Sequence, residues 1–125
     1  MPRRSRLPYW REVALGGAIG TAARIALDTA VGPLAGGWDP GIALINVLGA
    51  VALGWLSVRA LSGADPARWR AFAGTGILGS FTTFSALSLA LVDGTSLGAG
   101  LASLVVSVLG GVAGAALGHR WGAAA

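Results

Sequence analysis

The chain has 125 residues, 54% of them hydrophobic and only 11% charged, with nine Arg, no Lys and a net charge of +4. A soluble domain carries about 25% charged residues, so this composition excludes one and points to an integral membrane protein. The lack of Cys excludes disulfides and thiol chemistry, and one His with five acids leaves little for acid–base catalysis.

Residues 1–12, MPRRSRLPYWRE, form a basic head with four Arg and two Pro. It reads as a cytoplasmic tail rather than a cleaved leader, because the next segment carries Arg24 and Asp28 and three more spans follow. The first span covers residues 13–31. At 1.5 Å per residue it reaches about 28 Å, close to the hydrocarbon thickness. Gly16 and Gly20 make a close-approach face for another helix. Arg24 and Asp28 lie four apart on one face. An Arg inside a span faces protein or a water-filled cavity. Arg24 therefore either attracts an anion near a vestibule, pairs internally with Asp28, or snorkels toward the interface.

A turn, GPLAGGWDP, leads to a second span over residues 41–58, free of charge. Its one strongly polar side chain is Asn46, which either ties helices together or lines a polar path. Its amide NH2 can donate to an anion. Gly49 and Gly54 permit close packing. A polar connection, residues 59–70, carries a turn signal at 63–66.

The third span, residues 71–92, is uncharged but wrong in its middle for a plain membrane helix. Gly74, Gly76 and Gly79 are followed by Ser80, Thr82, Thr83 and Ser85, with Phe81 and Phe84 between them. Glycine weakens a helix, and hydroxyls offer the backbone other hydrogen bonds. A loosened backbone in lipid must be satisfied by protein or water. The stretch reads either as an ion or substrate site at a broken helix or as a close-packed helix with small residues at its contacts.

A short turn at residues 92–96 precedes the fourth span, residues 97–118. Ser103 and Ser107 share one face, and Gly110, Gly114 and Gly118 make a small-residue ridge of the same period. The serines either line a path or bond back to the preceding turn. His119, Arg120 and Trp121 close the membrane domain, residues 13–121, before a tail at 122–125.

Four spans put both termini on one side. Apart from Arg24, all Arg residues fall in the head, the second connection or the tail, and the first and third connections have none. That side is expected to be cytoplasmic. Trp10, Trp38, Trp55, Trp69 and Trp121 fall near span ends, as an aromatic belt requires. The arginines form no stripe interleaved with aromatics, so nucleic acid is not an expected partner.

The segment TTFS at residues 82–85, preceded by Gly76 and Gly79, resembles the signature of the small fluoride channels, the CrcB/Fluc family. The glycine-rich first span with Arg24, and Asn46 followed by Gly49, match the pattern around it. The resemblance covers most of the chain from Gly16 onward. It implies an all-α integral membrane fold with four helices per subunit, the third broken near mid-membrane, in an antiparallel dimer with fluoride pathways at the interface. It also implies a structural Na⁺ at the dimer centre, held by main-chain carbonyls of Gly79 and Thr82. On this resemblance the pore phenylalanine falls on Phe84 and the pore asparagine on Asn46. A positive ring edge can solvate a small anion. A hydroxyl such as Thr83 or Ser107 would replace more of its lost water. Passive fluoride export across the inner membrane, conferring fluoride resistance, is the implied function, with no enzymatic activity.

Two features depart from the pattern. The family often reads TTFSTFS, whereas this chain reads TTFSALS, so Leu87 stands where a second pore phenylalanine is expected. A path relying on that ring should be impaired. The one-sided arginines also argue for a fixed orientation, so an antiparallel dimer needs an oppositely oriented partner, a paralogue in a heterodimer. Two other functions compete. A proton-coupled small multidrug exporter needs a buried carboxylate in the first span, where Glu12 and Asp28 lie too near the ends. A non-transporting membrane scaffold would use the small-residue faces alone.

Overall fold

The computed structural model describes residues 9–32, 34, 38–59, 64–92 and 96–125, and all regular structure among them is helical. Helix α1 runs Trp10–Val31 with Glu12 in its first turn, where a carboxylate complements the helix dipole. It stops at Gly32, whose φ of +65° favours glycine and whose N–H donates to the Asp28 carbonyl at 3.0 Å. Helix α2, Pro40–Arg59, starts with proline at its first position and the Asp39 carboxylate accepting from the Gly41 N–H at 2.9 Å.

The third membrane segment is built in pieces. Helix α3, Pro66–Trp69, is capped by Asp65, which accepts from the Arg68 N–H at 3.1 Å. That cap starts the rod five residues before the expected 71. The chain then winds as a π-helix over Arg70–Leu78 and returns to α geometry in α4, Gly79–Phe81. Thr82 is extended, with φ −75° and ψ 150°. Helix α5, Ser85–Val92, resumes after this break. Helix α6, Leu97–Ala124, is capped by the Ser96 hydroxyl accepting from the Ala99 N–H at 3.1 Å. It runs past 118, so His119, Arg120 and Trp121 lie on a helix that continues through most of the expected tail.

Pro40–Arg59, Pro66–Val92 and Leu97–Ala124 are long and apolar enough to cross a membrane, with mean hydropathies of 2.0, 1.5 and 2.0. Helix α1 is not among them: it carries Arg11, Glu12, Arg24 and Asp28. The burial pattern is inverted relative to a soluble domain. Leu, Ile, Val and Trp side chains point outward, while the buried set is mostly Gly, Ser and Thr around Ala43, Ile45 and Leu87. Small residues at helix contacts and apolar ones facing lipid are what a membrane core demands.

Glycines set the close approaches. A Cβ at Gly16 would collide with the Phe72 carbonyl oxygen, and one at Gly20 with that of Ile77. Helix α1 thus lies directly on the π-helical backbone. Helices α2 and α6 approach in the same way, Gly54 against the Ala115 carbonyl and Gly118 against that of Val51. Along the ridge, a Cβ at Gly110 would stand 2.8 Å from the Val47 side chain, and one at Gly114 3.0 Å from that of Val51. Gly49 leaves room for the Thr82 side chain.

Polar contacts tie off the two ends. At one, Arg68 Nε donates to Glu12 Oε1 at 2.9 Å, and Ser57 Oγ lies 3.4 Å from His119 Nδ1. At the other, Trp38 Nε1 donates to Ser103 Oγ at 2.9 Å. Trp10, Trp55, Trp69 and Trp121 are exposed, as a belt requires. Trp38, two residues before α2, also falls at a span end, but it is half-buried and its N–H is taken up inside the helix packing.

Candidate functional site: a spliced helix break

The break over residues 82–84 is held by side chains in place of helix hydrogen bonds. Asn46 of α2 reaches it with both ends of its amide. Its Oδ1 accepts from the Thr83 N–H at 2.9 Å, and its Nδ2 donates to the Thr83 carbonyl at 3.1 Å. The second Nδ2 hydrogen has only a long contact, 3.5 Å to Ser107 Oγ on α6. Asn46 is therefore both a helix tie and a donor with spare capacity, so the two readings of it are not exclusive.

The splice frees carbonyls across the break, those of Gly79 and Thr82 among them. In an unbroken helix the Thr83 N–H would bond to the Gly79 carbonyl, but it goes to Asn46. The Ala86 N–H would bond to the Thr82 carbonyl, but it donates to Thr83 Oγ1 at 3.2 Å and so caps α5. The Leu78 carbonyl is satisfied twice, by the Thr82 N–H at 3.1 Å and Thr82 Oγ1 at 2.9 Å. Gly79 and Thr82 thus present oxygens released from the ladder. Neutral oxygen donors suit a hard cation, so these residues fit the Na⁺ that the resemblance implies.

Thr83 is buried, and its hydroxyl lies 3.1 Å from Ser85 Oγ. Both line an open cavity of about 530 Å³ whose walls include Arg24, Asp28, Ile45 and Leu89. Arg24 and Asp28 share this wall without pairing: among the described residues the salt bridge is Arg68–Glu12. The internal ion-pair reading of Arg24 is thereby corrected. Asp28 is exposed near the end of α1 and accepts with its main-chain oxygen from Gly32.

The structure brings Asn46, Thr83 and Ser107 together and places Arg24 on the wall of the cavity that Thr83 also lines. It does not bring Phe84 into that group. Phe84 is 74% exposed and faces out of the subunit, and Gly79 is exposed as well. Leu87 is the reverse, only 2% exposed and packed inside. Ser103 and Ser107 are 3% and 7% exposed. Neither bonds back to its own helix, whereas Thr29, Ser57, Thr82 and Ser88 all donate to carbonyls three or four residues earlier. Ser103 and its donor Trp38 form a pairing the sequence left unassigned. The only signal was the shared face with Ser107, and nothing local joins residue 38 to residue 103.

Comparison with known proteins places these residues in a family. The chain is 41% identical over 146 aligned residues to the fluoride-specific ion channel FluC 2 of Leifsonia xyli, covering 100% of both chains. It is 43% identical over 107 residues to a fluoride-specific ion channel FluC of Hyphomonas neptunium, with 78% of this chain and 83% of the relative covered. A third such channel, from Deinococcus radiodurans, is 40% identical over 122 residues, 93% and 96% of the two chains. With its membrane-length helices, the chain is a multi-pass membrane protein. The model of the family described as CrcB-like protein, Camphor Resistance (CrcB), matches residues 12–119, and the chain belongs to that family.

Proposed function

We propose that this protein is a fluoride-selective channel that lets fluoride leave the cell passively across the cytoplasmic membrane, with no enzymatic step. The observation that carries the reading is the third-segment break spliced by Asn46. A small anion in lipid must exchange its water for donors. The spare Nδ2 hydrogen of Asn46, the hydroxyls of Thr83 and Ser107, and the positive edge of the Phe84 ring are such donors. Arg24 on the cavity wall draws the anion toward them.

The functional unit is an antiparallel dimer. Its support is the outward placement of Phe84 and Gly79, which leaves both at a surface a second subunit can cover. Gly79 and Thr82 would hold a structural Na⁺ through their main-chain oxygens. A bound cation would offset the cost of an anion at mid-membrane. In this reading α1 is the fourth span, both termini are cytoplasmic, and the second subunit is an oppositely oriented paralogue.

Fluoride efflux from liposomes tests the channel. Protein purified with its coexpressed paralogue should release fluoride and retain chloride, and protein purified alone should not. Phe84→Ala and Asn46→Ala should each cut the flux about tenfold or more, the scale of a lost hydrogen bond to a charged group. Correctly folded protein without flux in either preparation overturns the reading.

A further inference from the structure

Trp38 is the one described tryptophan that is not exposed. It sits between two fixed points: its carbonyl accepts from the Leu34 N–H at 2.8 Å, and the next residue, Asp39, caps α2. Its indole donates to Ser103 Oγ at 2.9 Å, and Ser103 is 3% exposed. Indole nitrogen is a donor only, so Ser103 is the acceptor in this bond. A hydroxyl also carries one proton of its own. Helical serines commonly direct that proton to a carbonyl one turn back, as Ser57 and Ser88 do here. Ser103 makes no such bond. Ser107, one turn further along the same face, makes no such bond either and lies 3.5 Å from Asn46 Nδ2. One N–H from outside α6 therefore makes buried Ser103 an acceptor and leaves its hydroxyl proton uncommitted.

We infer that Trp38 is a positioning residue for fluoride passage: its indole N–H holds the Ser103 oxygen, leaving the Ser103 proton to a passing fluoride one turn beyond Ser107, toward the end that bears the 32–40 connection. The inference rests on the fluoride-channel reading and deepens it. Trp38 need not touch the ion. It acts on the ion through Ser103, so its effect exists only while Ser103 carries a hydroxyl.

The test is fluoride efflux from liposomes of the full chain, with its paralogue where flux requires one, over a range of fluoride concentrations. Trp38→Phe keeps an aromatic ring and removes the N–H. It should raise the half-saturating fluoride concentration about three- to tenfold and leave the maximal flux nearly unchanged, as the loss of one ordinary hydrogen bond, the one that holds Ser103, predicts. In a Ser103→Ala background the same substitution should add nothing. A Trp38→Phe protein that matches wild type, or that shows an equal effect without the Ser103 hydroxyl, overturns the inference. A structural role alone would instead lower maximal flux and yield, with or without that hydroxyl. Ser103→Ala, which leaves the indole in place, is the second variant should Trp38→Phe not fold. It should show a rise at least as large, and an unchanged half-saturating concentration overturns the inference. Wild-type flux that is lost in Phe84→Ala while the Trp38 and Ser103 variants behave as wild type overturns this inference alone. No wild-type flux overturns the channel reading as well.

Discussion

Asn46 carries the most structure per atom in this chain. Its amide replaces a helix hydrogen bond at Thr83, joins α2 to the break and offers one further hydrogen toward Ser107. Asn46→Asp separates these duties. The carboxylate keeps an oxygen for the Thr83 N–H but sets a second oxygen against the Thr83 carbonyl and places negative charge on the proposed fluoride path. The expected result is folded protein with weakened thermal stability and fluoride flux lower than in Asn46→Ala, measured by melting in detergent and by efflux. Flux equal to wild type would remove Asn46 from the path. Leu87 gives a second prediction. The sequence pattern makes Leu87→Phe look like restoration of a missing ring, yet Leu87 is 2% exposed inside the subunit. A larger side chain in a filled core costs about 1–3 kcal/mol. The variant should melt lower and gain no flux, and a variant that conducts faster without loss of stability would contradict this. Asn46, Thr83 and Ser107 could be picked out from the sequence because each is a polar side chain in an apolar run. The two-point splice was not legible, because it joins positions 37 residues apart through geometry no local pattern encodes.

At the scale of elements, periodicity and charge marked where helices lie, and capping residues fixed what periodicity left loose. Asp65 and Pro66 start the third rod earlier than its apolar run does, and Ser96 starts α6. The glycines at 74, 76 and 79 signalled a weakened helix. Their outcome, nine residues of π-helix before the break, had no signature of its own. A π-helix is rare beyond a single turn and recurs at functional sites. Here it lies against the bare backbone of α1, and its cap at Gly79 directs its N–H to the Gly74 and Gly76 carbonyls. Gly20→Ala would drive a methyl group into the Ile77 backbone, and neither side has a flexible chain that can yield. The expected cost is about 1–3 kcal/mol with reduced fluoride flux, because shifting α1 moves the segment that carries the break. Gly98→Ala is the control, since a Cβ there meets nothing within 4 Å. It should leave melting and flux unchanged. Equal behaviour of the two variants would show that the α1 contact does not support the break.

For the whole molecule the decisive asymmetry is electrostatic. Arg68 lies beside Glu12, and Arg59 and Arg120 lie at the end of the bundle where Ser57 meets His119. The opposite end carries the carboxylates Asp28 and Asp39. Arginine in short connections holds the end that bears it on the cytoplasmic side, so every copy of this chain should insert one way. Copies sharing one orientation cannot form the proposed antiparallel dimer, which would need Phe84 and Gly79 of this chain to meet the break of a subunit facing the other way. Reporters fused to either terminus should therefore be active only on the cytoplasmic side, and fluoride flux should require the coexpressed paralogue. Replacing Arg59, Arg68 and Arg70 with Gln removes much of the bias. A fraction of the copies should then insert inverted, and some flux should appear without the partner. Wild-type reporters active on both sides would remove the need for a second gene product, and this chain would then pair with itself.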